Sequence, residues 1–424
     1  MIGTRIRYYR KLGGYTLETL SEGICSVSYL SKIENGGNSS DDIIVHLCKR
    51  LGISYSAVDD SARVEKLKER MDKWYHVLVS YEEPETLEEK RLAIEKEMTE
   101  SGIEEPLIHL RFNLFTLRYR LFQNDLEESK KLIKHLSSFK EIFDSELEYY
   151  YYHFCGIYYN IANDYSNAIK CLKAAEEALK MISHSETEEA HLNYQFANLY
   201  SKFLRISDCM NYAEKALTIF NKDYNVTRIS DCQTILGVCN REIKNFIKAE
   251  YHYGQALKFA KLLNDPVRLG MIFHNLGFVK NGLGASQEAI DCYKQALVYK
   301  EKLKNYDASK VKTMYLLAKE YLNIGNKEEC LKLTKQGLEL SKKLTDKEYF
   351  YQLKLIESEV EGIKDDAFET LIYNEAIPYF KKRERWDRVA THAENLADYY
   401  FQIKYYKKAG EMYRIANDAR KKLS

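Results

Sequence analysis

Only four prolines occur among 424 residues, and no Gly/Ser-rich run interrupts the chain. Long flexible linkers are thereby excluded, so any joint between domains is short or helical. No uninterrupted apolar stretch approaches the length that spans a bilayer, and charges begin at Arg5 where a secretion signal would be apolar. A cytoplasmic protein with no membrane partner is expected. Net charge is almost absent too: 64 Lys and Arg are balanced by 63 Asp and Glu, so any nucleic-acid-binding surface must be local. The nine cysteines form an odd, scattered set, which argues against a disulfide framework. Cys232 and Cys239 share a helix face, but no His or Cys follows at ligand spacing, so both read as core thiols and no metal is expected. Phosphate loops, nucleophile elbows, paired carboxylates and zinc motifs are all missing. No catalytic residue, no cofactor and no enzymatic activity is expected.

What is present is a repeat with a period near forty residues. A small residue inside a helical apolar pattern recurs as Gly156, Ala197, Gly237, Gly277, Ala318, Ser358 and Ala397. Twelve residues after these anchors stand Ala168, Cys209, Ala249, Ala289, Cys330 and Ala409; nineteen after stand Ala175, Ala216, Ala256, Ala296, Gly337 and Ala416. Two helices of a hairpin approach closely only where a side chain is nearly absent, and each hairpin buries its remaining apolar face on the next. The pattern predicts an all-α helical-repeat array over residues 141–424. Between residues 59 and 140 the helical pattern continues with larger anchors, Thr116 and His76, as divergent repeats or joining helices in which Pro84 and Pro106 mark turns. Most of the 35 tyrosines lie close to anchors and read as interhelical packing.

Residues 1–58 read differently. Ile2, Ile6 and Tyr9 predict a first helix ended by Gly13-Gly14; Thr16 caps a second carrying Leu17, Leu20 and Ile24. Ser26 caps a third with Tyr29, Leu30 and Ile33, and Ser39 or Ser40 opens a fourth that Gly52 closes. The stretch from Tyr15 through Leu-Ser-Lys-Ile-Glu-Asn-Gly at 30–36 resembles the Cro and lambda-repressor type of helix-turn-helix. That resemblance implies a third helix lying in the major groove of double-stranded DNA, with Ser26, Val27, Ser28, Tyr29 and Lys32 facing the duplex and Glu34 as a structural acid. Where the family commonly carries Gln, this chain has Leu17 and Val27, so readout through amides is absent. Arg5, Arg7, Arg10 and Lys11, with no acid among residues 1–12, are expected to supply backbone contacts, Arg5 and Arg7 foremost.

The unit Phe273-His274-Asn275-Leu276-Gly277, followed by Ala289, Tyr293 and Ala296, resembles a lengthened tetratricopeptide repeat. Together with the helix-turn-helix, the architecture resembles the Rap, Rgg, NprR, PlcR and PrgX group of quorum-sensing regulators, most of all NprR in length and register. The resemblance implies a short signalling peptide held on the concave face. There the offsets three and six residues before each anchor, and one, four and five after it, are expected to be exposed. Those offsets, with Asn275 beside them, nominate Asn160, Tyr194, Asn198, Arg241, His274, Asn275, Phe278, Asn281, Tyr315 and Lys319 as peptide contacts. An Asn amide satisfies one donor and one acceptor of a peptide backbone, and Arg241 or Lys319 is expected to pair with a carboxylate. The expected function is a peptide-switched transcriptional regulator, acting as a homodimer or higher oligomer through the aromatic hairpin from Trp386 to Tyr413. The alternative is a Rap-like switch acting on a response regulator of a phosphorelay.

Overall fold

The computed structural model describes residues 2–55, 61–80, 84–183, 186–363 and 365–423, and every regular element among them is helical. The chain divides into two compact units, Met1–Cys239 and Asn240–Ser424. The first unit opens with α1 (Ile2–Leu12), α2 (Leu17–Ser21), α3 (Val27–Glu34) and α4 (Asp41–Leu51). Their starts follow the side-chain capping rule: the Thr16 hydroxyl accepts from the Thr19 amide, and that of Ser26 from the Tyr29 amide. Gly52 ends α4 in the left-handed conformation at φ 71°. Ile6, Leu20, Leu30, Ile33, Ile44 and Leu47 form this module's core. Ile24 lies in the turn after α2 instead of inside it, since α2 is only five residues long. The expected module boundary at 58 falls outside the described residues.

Hairpins follow: α5 (Ser61–Ser80) with α6 (Pro84–Ser101), α7 (Pro106–Phe122) with α8 (Leu126–Ser137), α9 (Ser145–Ile161) with α10 (Tyr165–Lys180), and α11 (Glu186–Lys202) with α12 (Ile206–Lys222). Pro84 and Pro106 are the first residues of α6 and α7, where a missing N–H costs nothing. Helix α13 (Val226–Glu242) carries the chain to the second unit, built from α14 (Phe246–Leu262), α15 (Pro266–Gly282), α16 (Ser286–Glu301), α17 (Asp307–Asn323), α18 (Lys327–Lys342) and α19 (Glu348–Glu361). The unit ends with α20 (Asp366–Thr370), a π-helical stretch Leu371–Ala376, α21 (Ile377–Lys382), α22 (Trp386–Gln402) and α23 (Tyr406–Lys421).

The small residues sit where the helices touch. Ala197, Ala318, Ala168, Cys209, Ala289, Cys330, Ala175, Ala216 and Ala296 are fully buried. At Gly277 a Cβ would come within 2.5 Å of the Tyr293 ring, so the α15–α16 approach requires the glycine. Ser358 departs from the pattern. It is half-buried and lines a cavity of about 570 Å³ between α19 and the α20/π-helical segment, which replaces the regular second helix of that repeat.

A second period runs through the turns. Asn163, Leu204, Lys244, Gly284, Gly325 and Lys404, each seven residues after an anchor, all have φ between 54° and 77°. Glycine adopts this region freely, whereas Leu204 and Lys244 are held there against the usual steric preference. The Asx residues that follow, Asp164, Asn245 and Asn326, cap the second helices by accepting backbone N–H bonds.

Candidate ligand groove and nucleic-acid interface

On the helix-turn-helix module, Val27, Ser28 and Lys32 are exposed along α3, Ser26 is exposed at its cap, and Tyr29 is half-buried. The Tyr29 hydroxyl accepts from the Ser40 amide at 3.3 Å, joining α3 to the start of α4. The expected basic patch is arranged otherwise. Arg10 donates twice to the buried Glu34 carboxylate, at 2.6 and 2.9 Å. Arg7 reaches Glu34 at 3.4 Å and donates to the Asn35 side chain at 2.6 Å. Arg5 is buried, donating to the Glu104 carboxylate and the Ser54 carbonyl, each at 2.5 Å. Lys11 donates to the Ser138 carbonyl at 2.8 Å and pairs with Glu141 at 3.2 Å. The cations of α1 therefore pair with acids of α3, of the segment before α7 and of the Lys140–Ile142 turn, instead of forming a free patch. A tally limited to residues 1–12 misses acids supplied from distant positions.

The peptide-contact candidates fall into two groups. In the first unit, Asn160, Tyr194 and Asn198 are half-buried. Asn160 has its side-chain oxygen enclosed without a hydrogen bond, and the Arg228 guanidinium stacks 4.4 Å from the Tyr194 ring centre. Nearby His153 and His191 are buried, contrary to the exposure expected three and six residues before the anchors. Desolvation, with Arg118 and Arg228 close by, pushes His153 down to about 3 and keeps it neutral. The thiols of Cys209 and Cys239 lie 3.1 Å apart, and Cys232 is equally buried, so these cysteines belong to the core.

In the second unit, Arg241, His274, Phe278 and Tyr315 converge on one groove of about 650 Å³. Arg241 pairs with Glu242, donates to the Asn275 amide oxygen at 3.2 Å and lies 5.3 Å from the Phe278 ring centre. Phe278 is exposed, whereas His274, Asn275 and Tyr315 are buried. The burial has a common cause, because residues about one repeat apart bond across neighbouring first helices. His274 bonds Thr313 at 2.9 Å, Asn281 donates to Glu320 at 2.5 Å, Tyr315 donates to Gln352 at 3.2 Å, and Gln352 meets His392 at 3.3 Å. Positions read from the repeat as ligand-facing thus partly stitch one hairpin to the next. Thr313 accepts from Lys300 at 2.7 Å and donates to the Ser309 carbonyl, which leaves His274 Nδ1 as the donor to Thr313. Burial first, then Lys300, Lys312 and Arg241, holds the His274 pKa well below its ordinary value.

Lys319 lies 5.9 Å from the Tyr315 ring centre and is not among the residues lining the groove, and neither is Asn281. Residues that the offsets passed over do line it: Lys244, Phe246, Leu316, Glu348, Tyr349, Arg385 and Arg388. Arg385 and Arg388 sit twelve and nine residues before Ala397, beyond the offsets considered. Among the described residues no three His, Cys, Asp or Glu side chains converge as metal ligands, and no helix is long and apolar enough to cross a membrane.

Residues 6–58 match the helix-turn-helix family HTH_3. The chain is 32% identical over 404 residues to the transcriptional activator NprA of Geobacillus stearothermophilus, covering 94% of this chain and 98% of NprA. It is 27% identical to the regulatory protein RapD of Bacillus subtilis over 69% of this chain and 81% of RapD. Among solved structures, the apo quorum sensor NprR of B. thuringiensis superimposes with a TM-score of 0.70 at 18% identity, covering 84% of this chain and 99% of NprR. A helix-turn-helix module followed by tetratricopeptide-like hairpins defines the class as a helical-repeat regulator. The chain belongs to the family of the transcriptional activator NprA, and its fold is that of NprR.

Proposed function

We propose that this protein is a cytoplasmic transcriptional regulator that binds a short signalling peptide on the concave face of its repeats and double-stranded DNA through α3, peptide occupancy changing DNA binding. The observation that carries this reading is one chain holding both a helix-turn-helix and a groove lined by an amide-linked arginine, an exposed phenylalanine and two tyrosines. NprR has been solved with its cognate peptide NprX, and a Rap protein with the competence and sporulation factor. In this reading residues 1–58 bind DNA, 59–140 join the modules and 141–424 bind peptide. An extended ligand of about five to ten residues suits a groove crossing successive hairpins. Asn160, Tyr194 and Asn198 offer a separate polar strip on the first unit. A switch of this kind requires the peptide to prefer one arrangement of the protein over another.

A helix-turn-helix normally acts as a symmetric pair, so a homodimer or higher oligomer is part of the proposal. Phe401, Tyr405, Tyr406 and Tyr413 are exposed aromatics of the terminal hairpin, whereas Tyr400 is buried and Trp386 is covered by Lys422 at 3.8 Å. The reading is tested by the double substitution Ser28→Glu and Lys32→Glu, which sets two acids on the exposed side of α3. Duplex DNA binding, followed by fluorescence anisotropy, is expected to fall at least about tenfold, with peptide binding unchanged. Unaltered DNA binding sinks the α3 interface. Similarity to the response regulator aspartate phosphatase I of B. subtilis, 24% identical over 86% of this chain, favours a second reading in which residues 59–140 dock a phosphorelay response regulator. Direct titration with purified receiver domains tests it.

A further inference from the structure

The groove of the second unit carries more positive charge than its walls neutralise. Arg241, Lys244, Lys312, Arg385 and Arg388 line it with two carboxylates, Glu242 and Glu348. Both carboxylates are engaged: Glu242 pairs with Arg241, and Glu348 accepts two hydrogen bonds from Arg385 at 2.9 Å with Arg388 at 3.7 Å. Asp387 is shared in turn between Arg385 at 3.2 Å and Arg388 at 3.5 Å. The exposed Lys244 and the more enclosed Lys312 are left over. Among the described residues neither side chain forms a hydrogen bond or ion pair, although Glu348 is close enough to Lys312 to favour its charge. Partial burial, followed by the nearby Arg241, Arg385 and Arg388, lowers its pKa. Phe278, Tyr315, Leu316 and Tyr349 supply apolar walls, and charges beside such walls are screened less than on an open surface. An anion entering here relieves cation–cation repulsion as well as gaining attraction; a cationic group meets the opposite.

We propose that Lys312 and Arg388 form a carboxylate subsite within this groove that selects the ligand by an acidic side chain or a C-terminal carboxylate and so fixes the direction in which the peptide lies. This rests on the peptide-binding reading above. It rests the anion contact on the unpaired Lys312 and on Arg388, whose carboxylate contacts are long at 3.5 and 3.7 Å, instead of on Arg241, held tightly by Glu242, or on Lys319, which does not line the groove. Arg385 holds Glu348 and thereby acts as a positioning residue for the others.

The probe is a heptapeptide library with free carboxyl termini, selected on the full-length protein. The tightest binder is then resynthesised as the C-terminal amide and with each Asp or Glu replaced by Asn or Gln. These are titrated by calorimetry against the parent protein, Lys312→Gln and Arg388→Gln. For the parent, neutralising one carboxylate is expected to weaken binding about tenfold or more, consistent with a charge-assisted contact in a partly desolvated site; the amide and the side-chain series distinguish the two carboxylate sources. In Lys312→Gln that discrimination shrinks to a few-fold. This variant removes no ion pair, so it keeps the test valid if Arg388→Gln loses its fold. Equal affinity of the parent for acidic and neutral peptides, with Phe278→Ala still weakening both, overturns the carboxylate subsite and leaves the peptide groove standing. No library binder, or a binder indifferent to Phe278→Ala, overturns both.

Discussion

Four cations on α1 and five lining the groove of the second unit are alike in sequence and differ in their surroundings. Arg5, Arg7, Arg10 and Lys11 lie within three turns of one helix, and each meets a carboxylate: Glu104, Glu34 or Glu141. Arg241, Lys244, Lys312, Arg385 and Arg388 come from separate helices and turns and share two groove carboxylates. Paired cations fix a module in place; an unpaired one raises the local potential and is stabilised by an incoming anion. Charge that looks like a ligand site in sequence is thus spent on packing in α1, while the groove assembles its excess from positions that no local window contains.

The largest expected effect comes from breaking the most completely enclosed pair. Glu34→Gln strands Arg10 and should destabilise the helix-turn-helix module by about 3–5 kcal/mol, the usual cost of leaving one charge of a buried pair alone. Hydrogen-exchange protection in α1–α4 reads this. A loss under about 1 kcal/mol in the module means that the pair is solvated and the contrast with the groove is weaker than drawn.

Glu188 is an anionic counterpart, a carboxylate buried against hydroxyls with no ion pair among the described residues. It accepts from Tyr149 at 3.0 Å and Tyr150 at 3.3 Å, and burial pushes its pKa from 4.5 up to about 7 against the lowering effect of those hydrogen bonds. A raised folded-state pKa means that the folded protein holds the proton more tightly than the unfolded chain. Its stabilising contribution is complete below pH 4.5 and is lost as pH rises through 7, up to about 3 kcal/mol by linkage. In Glu188→Gln this part of the pH dependence should vanish in urea titrations between pH 5 and 8. An unchanged slope assigns the titration elsewhere.

The smallest effect tests whether the paired cations of α1 still reach DNA. Glu141 is exposed and lies near both Lys11 and Arg7. Replacing it with Gln should strengthen binding to a generic duplex a few-fold at low salt and steepen the logarithmic salt dependence by up to about one. Identical salt slopes place α1 away from the phosphate path.

The candidate site was partly legible in the sequence. Arg241, His274, Phe278 and Tyr315 were recovered from repeat offsets alone, because a helix face repeats with the hairpin and the groove follows that face. Arg385, Arg388 and Glu348 were not, since they flank the starts of α22 and α19 and enter the groove only where consecutive hairpins meet. The burial of His274 and Tyr315 also escaped prediction. A single helix pattern distinguishes inward from outward, but not ligand-facing from neighbour-facing, which depends on Thr313 and Gln352 in the next repeats. The non-glycine turns at Leu204, Lys244 and Lys404 were invisible for a similar reason: a left-handed residue is signalled by Gly or Asn, and here packing of the flanking helices imposes it.

By itself the sequence determined that the chain is all-helical, where its hairpins pair and where a helix-turn-helix begins. Small residues at fixed offsets, caps and glycine stops act locally and need no distant partner to be read. Only the tertiary structure decided which charges are spent and which remain. A carboxylate neutralises a cation according to distance in space, and Glu104 lies ninety-nine positions from Arg5, while Lys312 is left unpaired among the described residues by the arrangement of six helices around one groove.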